Sequence, residues 1–441
     1  MTDSNRSMTS ARVETSPETH LNANRAGRRS DLVVYGLMMA AGVGLTFLKV
    51  LLVGRLLAKS DFGIYSYVTT LVQFVLPLAS FGLLEGMSQR VPLLLGRGAA
   101  AEVRGLRGVC LGLLSVLAAI LVMLGIVVGL AYSEIGGLAL LQGLAYLAFS
   151  FVVRDIRNHL QTVTYAGLIA AKACCDVVLT VAVAQFAGLT GVLISETCVL
   201  AVISAIALWR WTPSLRPSLD FRSTGFQVAI REGLGVAGLG IVANGALLAD
   251  RLVLGSFLLA SEYAGYAAHA IVVVAGINVV SIISQYVLPR FLHLYGSTGD
   301  ARRVLDDAGR MSLRMTVAAC FGLPVACLLA NWFVTKWYVQ YVIDPRLLCV
   351  LVVGAAIEII NVYPLGLLAV GRTSTLARIH VWLGLTIVVG NCVLLSFTRD
   401  VVWFGLLFLF GRGAFCAACA AAANRVEQSV ARAEPLIKRA A

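Results

Sequence analysis

The chain has 441 residues, of which 59% are hydrophobic and only 13% charged, with a mean hydropathy of +0.87 and a formal net charge of +12. That composition excludes a soluble globular domain and describes a polytopic membrane protein. The positive excess needs no nucleic-acid partner: it reports topology and contact with anionic lipid head groups.

Residues 1–30 are polar, rich in Ser, Thr, Asn and Arg, and contain Pro17, which describes a disordered cytoplasmic tail. No short apolar core with a small-residue cleavage site precedes the first apolar run, so that run acts as its own insertion signal. Apolar runs of about 20 residues, enough to span a bilayer, then recur along the chain. Twelve are expected: roughly 31–53, 63–88, 106–131, 136–153, 159–186, 189–209, 233–257, 264–288, 314–335, 346–369, 376–397 and 401–423. They divide as six plus six, giving an all-α membrane protein of two six-helix lobes, 31–209 and 232–423. A cytoplasmic linker at 210–231 joins them, and a cytoplasmic tail covers 424–441. Asp61 reads as the N-cap of the second helix. Residues 290–314, with Asp300, Asp306 and Asp307 interleaved among Arg302, Arg303 and Arg310, read as a solvated amphipathic helix at the membrane surface.

Charge placement sets the orientation. With the N-terminus cytoplasmic, 26 of the 35 Lys and Arg residues fall on inside segments, five outside (Arg55, Lys59, Lys336, Arg346, Arg399) and four within spans (Lys49, Lys172, Arg251, Arg412). This is the asymmetry of the positive-inside rule, with both termini cytoplasmic.

The two lobes repeat one another at an offset of 201 residues. Gly54, Leu57, Ser60, Asp61, Phe62, Gly63 and Tyr65 match Gly255, Leu258, Ser261, Glu262, Tyr263, Ala264 and Tyr266 without a gap. At an offset of 200, Arg90 matches Arg290 and Gly96 matches Gly296. Duplicated helical halves are how many transporters place a substrate path between lobes that rock against each other.

An ionisable side chain inside the membrane costs several kcal/mol unless it is paired or hydrated, so these residues carry most of the functional information. Lys49 lies close to the outer end of the first span, and its repeat-mate is Asp250, next to Arg251. Charge at one level on symmetry-related helices describes the lining of a cavity between lobes; snorkelling to the outer head groups is the alternative for Lys49 and Arg251. A second layer lies near mid-membrane. Lys172 and Asp176, four residues apart, share a helix face, Glu196 lies at similar depth, and Glu358 and Arg412 form the counterpart in the other lobe. Two readings stand. Lys172 with Asp176 or Glu196, and Glu358 with Arg412, form structural ion pairs, or the spare carboxylate, Asp176 or Glu196, takes up a proton or cation during transport. Glu85, Arg90 and Arg290 lie near the inner ends of their spans, where Arg90 and Arg290 either suit a phosphate-bearing head group or are ordinary positive-inside arginines. Pro77, Pro324 and Pro364 within spans supply kinks.

Catalysis has little support. The longest outside stretch, near 335–346, holds Asp344 between Lys336 and Arg346 and no His or carboxylate pair. A polysaccharide ligase or polymerase needs more. Asp61-Phe62-Gly63 matches a kinase signature without the motifs that accompany it. The ten cysteines all lie in expected spans, and Cys416-x-x-Cys419 has no second Cys pair or His close in sequence, so packing explains them. No catalytic residue, metal or cofactor is expected.

The stretch Val53–Tyr65, with Phe81-Gly82, Glu85-Gly86 and Arg90-Val91-Pro92 ahead of a basic loop, resembles the opening of bacterial O-antigen and exopolysaccharide flippases. These are the Wzx-like members of the multidrug/oligosaccharidyl-lipid/polysaccharide exporter superfamily. Asp250-Arg251 followed by Phe257, Glu262, Tyr263 and Tyr266 resembles that family's second lobe. The resemblance implies two six-helix bundles forming a V around a central cavity, in a monomer of the bacterial inner membrane. It implies as cargo undecaprenyl-pyrophosphate-linked oligosaccharide, moved from the cytoplasmic to the periplasmic leaflet by alternating access and coupled to an ion gradient. Lys49 and Arg251 are then the candidate cavity cations, membrane lipids are neighbours, and polysaccharide polymerase or ligase machinery is the expected protein partner. Twelve spans, where lipid II flippases have fourteen, count against a peptidoglycan precursor. A drug/cation antiporter of the same superfamily shares the two-lobe plan, but a carboxylate deep in its first span is expected. Here Asp31 is marginal and Lys49 is cationic.

Overall fold

The computed structural model describes the backbone of residues 17–80, 82–96, 99–159, 161–211, 217–219, 224–338 and 340–440. Most of the proposed N-terminal tail (1–16) and much of the linker (212–216, 220–223) lie outside the described residues. Thirteen α-helices follow in order among the described residues: α1 (Pro17–Leu56), α2 (Lys59–Ala79), α3 (Leu83–Gly96), α4 (Ala100–Ala131), α5 (Glu134–Asn158), α6 (Thr162–Trp211), α7 (Thr224–Phe257), α8 (Ala260–Thr298), α9 (Ala301–Trp337), α10 (Pro345–Ile360), α11 (Tyr363–Ala369), α12 (Thr373–Phe397) and α13 (Val401–Ala440). Ten stretches are long and apolar enough to cross a membrane. One of them, α6, makes two crossings, because Gly188 (φ 56°, ψ −143°) turns the chain at its middle in a conformation that only glycine adopts without strain. The pair α2 and α3 makes a further crossing, bent at Gly82 (φ 73°). Among the described residues the fold is an all-α bundle.

The helix ends carry the repeat. Leu56 and Phe257 close α1 and α7, Lys59 and Ala260 open α2 and α8, and Ala100 and Ala301 open α4 and α9, each pair 201 residues apart. The packing repeats as well: α1 lies on α6 as α7 lies on α12, α4 on α5 as α9 on α10, and α5 on α6 as α10 on α13. The membrane faces repeat too. On α4 the residues Ile120, Met123, Val127 and Leu130 are exposed, and on α9 Phe321, Val325, Leu328 and Trp332. These are lipid-facing rows, since apolar surface of this extent is stable only in hydrocarbon.

Several helix starts follow from local chemistry. Ser133 caps α5 by accepting from Gly136 N (3.2 Å), and Asp344 caps α10 by accepting from Arg346 N (2.8 Å) with Pro345 in the first turn. Asp61 is not a cap: α2 begins two residues earlier, and the carboxylate lies in the first turn, where it complements the helix dipole. The amphipathic 290–314 segment is not a separate helix either. It splits at Gly299 (φ 65°) between the end of α8 and the first turns of α9, capped by Asp300 accepting from Arg303 N at 3.2 Å. The expected 346–369 span is broken at residues 361–362. Pro364 has no N–H for the Ile360 carbonyl, which instead accepts from Ser312 Oγ (2.6 Å) and Val362 N (3.1 Å).

We call the end bearing the α1–α2, α4–α5, α7–α8 and α9–α10 turns the outer end, following the charge asymmetry. There the two halves share one core: Leu57, Phe62 and Tyr65 pack with Leu254, Tyr263, Tyr338, Leu347 and Phe404. At the inner end each half has its own, around Leu83, Met87, Phe149 and Phe151 in the first and around Leu305, Leu376 and Phe415 in the second. An inner contact between halves runs from α3 to α7, where a Cβ on Gly233 would meet Gly82 O and Gly86 N. The halves share a core at the outer end, and at the inner end they still meet where α2 and α3 pack on α7.

Candidate functional site

A cavity of about 980 Å³, including its open mouth, lies between the halves just inside the outer seal. Its walls come from α1 (Thr46, Lys49), α2 (Tyr65, Thr69, Gln73), α5 (Gln142, Tyr146), α6 (Lys172, Glu196), α7 (Arg251) and α8 (Tyr263, Ala270, Val274). Three of its charged lining groups are cations, Lys49, Lys172 and Arg251, and one is a carboxylate, Glu196.

The first half supplies a dense polar network. Glu196 Oε1 accepts from Lys49 Nζ at 2.8 Å and from the Tyr65 hydroxyl at 2.7 Å, while Oε2 accepts from Gln142 Nε2 at 2.6 Å. Asp176 Oδ2 lies 2.6 Å from Lys172 Nζ and 3.9 Å from Lys49 Nζ. Lys172 also rests over the Tyr146 ring, 5.8 Å from its centre. Four helices contribute, so the charges are held by the packing of α1, α2, α5 and α6. Glu196 already accepts three hydrogen bonds, and Lys49 and Lys172 line the cavity beside it.

The second half contributes Arg251 from α7. Its Nη2 donates to Ala270 O at 3.4 Å, a long bond that leaves most of the guanidinium's donor capacity to the cavity. Its neighbour Asp250 does not line the cavity. It is buried and accepts a short hydrogen bond from the Tyr266 hydroxyl. Among the described residues, no ion pair involves Asp250.

The remaining expected residues lie elsewhere. Arg412 Nη1 stands 3.3 Å from Glu358 Oε2 and its Nη2 donates to Ala246 O at 3.0 Å, so this pair forms as expected within the second half. Glu85 is held by Arg154 (2.9 Å) and Ser80 Oγ (3.1 Å) near the α2–α3 bend. Arg90, half-buried on α3, and Arg290, exposed on α8, line neither this cavity nor the one described below. Of the three substrate-path positions beyond Lys49, only Arg251 reaches the cavity. The sequence reading missed Gln142, Tyr146 and Tyr263. Tyr65 was visible in it, as a repeat-mate of Tyr266, but not as a ligand of Glu196.

The outer seal lies directly above. Gln340 Nε2 donates to Gly54 O (2.5 Å) and Leu57 O (3.1 Å), and the Tyr338 hydroxyl donates to Val50 O (3.1 Å). His269 Nε2 accepts from Asp344 N at 2.8 Å, tying the same loop to α8.

No family model matches the sequence, and no curated protein matches it significantly. Solved structures do. The inward-facing conformation of a multidrug resistance MATE family transporter of the MOP superfamily superimposes with a TM-score of 0.62 at 13% identity, covering 91% of this chain and 99% of that one. The lipid II flippase MurJ in an inward closed conformation gives 0.69 at 8% identity, covering 89% and 87%. The fold is that of MOP-superfamily transporters. A third structure with the MOP fold, from Pyrococcus furiosus, gives a TM-score of 0.63 at 14% identity over 90% of this chain and 96% of that one; it is described as a transporter whose binding pocket of reverse polarity suggests a different function.

Proposed function

We propose that this MOP-fold chain is a transporter that moves undecaprenyl-pyrophosphate-linked oligosaccharide from the cytoplasmic to the periplasmic leaflet of a bacterial inner membrane, by alternating access, for surface polysaccharide assembly. The observation that carries this reading is the cavity shared by the two halves, in which Arg251 has no ion-pair partner among the described residues, beside Lys49 and Lys172 held by Glu196 and Asp176. A pyrophosphate is a compact multivalent anion, and ammonium and guanidinium groups in a water-poor site bind it through charge-assisted hydrogen bonds. In this reading the lobes are 31–209 and 232–423, both termini are cytoplasmic, the protein works as a monomer, and polymerase or ligase machinery takes up the delivered glycolipid.

A drug/cation antiporter of the same fold is the second reading. The buried Asp250, without an ion-pair partner among the described residues, favours it, since such a group carries a proton or cation. The two readings separate in proteoliposomes carrying a fluorescent polyprenyl-pyrophosphate oligosaccharide. A glycolipid transporter brings the inner-leaflet label within reach of an external quencher, and an antiporter leaves it protected while exchanging cations.

A further inference from the structure

A second cavity, of about 720 Å³ including its mouth, lies within the second half and is lined by α7, α8, α10, α11, α12 and α13. Both cavities border α8. Val274 lines the first cavity and Val280 the second, six residues or about 9 Å further along the helix. At its centre is the break between α10 and α11. Asn361, only 8% exposed, lines the cavity with the weak thiol of Cys419 as the single side-chain partner near its Nδ2, and its Oδ1 has no hydrogen bond. A buried amide oxygen left without a partner costs about 1–3 kcal/mol, so it marks a place where a ligand supplies one.

The other polar groups fix the kind of ligand. Glu358, with its side chain 20% exposed, borders the space, and Arg412, behind it at 3.3 Å, neutralises it. The pair therefore offers acceptor atoms without net charge, which disfavours both an anion and a metal cation. His380 Nδ1 is bonded to Leu376 O (2.9 Å) and so carries the proton, leaving Nε2 as an acceptor. Ser284 Oγ donates to Val280 O at 2.8 Å and keeps its lone pairs. Phe415, Pro364 and Ile283 supply apolar faces. Several acceptors, one amide that can both donate and accept, an aromatic ring and no net charge are what a sugar ring requires.

We propose that this second cavity is a saccharide subsite, which holds the uncharged, hydroxyl-rich part of the cargo while the first cavity holds its pyrophosphate. This rests on the reading under Proposed function and assigns the glycan to the second half. The test compares binding of two lipids to the purified full-length protein in nanodiscs: undecaprenyl pyrophosphate carrying the oligosaccharide, and bare undecaprenyl pyrophosphate. Wild type is expected to prefer the glycosylated lipid. Asn361→Leu, close in volume and without the amide, is expected to lose roughly tenfold of that preference, the worth of one hydrogen bond, with affinity for the bare lipid unchanged. His380→Phe, which keeps the ring against Phe415, is expected to act in the same direction. An unaltered preference in both variants, equal loss for both lipids, or a preference that requires sodium overturns the subsite while leaving the transport reading standing. A wild type that binds neither lipid overturns both.

Discussion

Tyr65 and Tyr266, 201 residues apart, each give their hydroxyl to a buried carboxylate, but the carboxylates come from different helices. In the second half Tyr266 bonds Asp250 on α7. In the first half the position equivalent to Asp250 is Lys49, and Tyr65 bonds Glu196 on α6 instead. The repeat keeps the tyrosine and exchanges the sign of the charge on the first helix of each half. An acid has been replaced by a base, and an acid from another helix now neutralises it. The Lys49–Glu196 pair therefore belongs to the first half alone, and Arg251 is the cavity-lining cation without an ion-pair partner among the described residues.

The first prediction separates what this pair does for folding from what it does for transport. Lys49→Ala leaves Glu196 buried with two neutral donors, and is expected to cost about 3–5 kcal/mol, read as a lowered melting temperature in detergent. Lys49→Met combined with Glu196→Met removes both charges and is expected to recover most of that stability without recovering glycolipid binding. Recovery of both contradicts a role for Lys49 in the substrate path.

Removing the two hydroxyls should have unequal effects. In Tyr65→Phe the Glu196 carboxylate retains Lys49 and Gln142, whereas in Tyr266→Phe Asp250 loses the side-chain donor that the structure shows for it. Each change costs on the order of 1–3 kcal/mol, with Tyr266→Phe the larger. Thermal unfolding of the two single variants checks the order.

The outer seal depends on close approach of the halves at Gly63, where a Cβ would meet the Ala260 carbonyl oxygen. Gly63→Val is therefore expected to cost about 1–3 kcal/mol of overpacking, and to do so only while the outer end is closed. Access of a membrane-impermeant reagent to the cavity from outside should rise. Unchanged access would show that the contact does not gate the path.

Breaking the Glu358–Arg412 pair from its two sides should differ in the same way. Arg412 is fully buried, and Glu358 borders the second cavity. Glu358→Ala strands a cation in the interior at about 3–5 kcal/mol. Arg412→Leu leaves a carboxylate that cavity water can solvate, at smaller cost. Melting temperatures of the two variants give the comparison.

Much of the fold was legible because the signals were local. The 201-residue offset marked the turn after the first helix of each half, with the spans expected to end at 53 and 257 where α1 and α7 end at Leu56 and Phe257, and the division between the fifth and sixth spans fell around Gly188, where the chain turns. Lys172–Asp176 followed from helical spacing, and Glu358–Arg412 from equal depth. Lys49–Glu196 did not, since 147 positions separate partners whose meeting depends on how α1 packs on α6. Gln142 gave no signal, being a lone polar residue in an apolar span. The break at Asn361 was half legible: Pro364 announced a kink, but the orphaned amide oxygen depends on what surrounds it.

The proposed transport requires cations between the two halves to carry an anionic glycolipid from the inner to the outer leaflet. The most direct measurement is the leaflet distribution of the lipid-linked oligosaccharide in cells lacking this gene, complemented with wild type, Lys49→Ala or Arg251→Ala at matched protein levels. The account predicts accumulation in the cytoplasmic leaflet with loss of surface polysaccharide, relieved by wild type and not by either variant. Normal export, with a change only in tolerance to toxic cations, would contradict it.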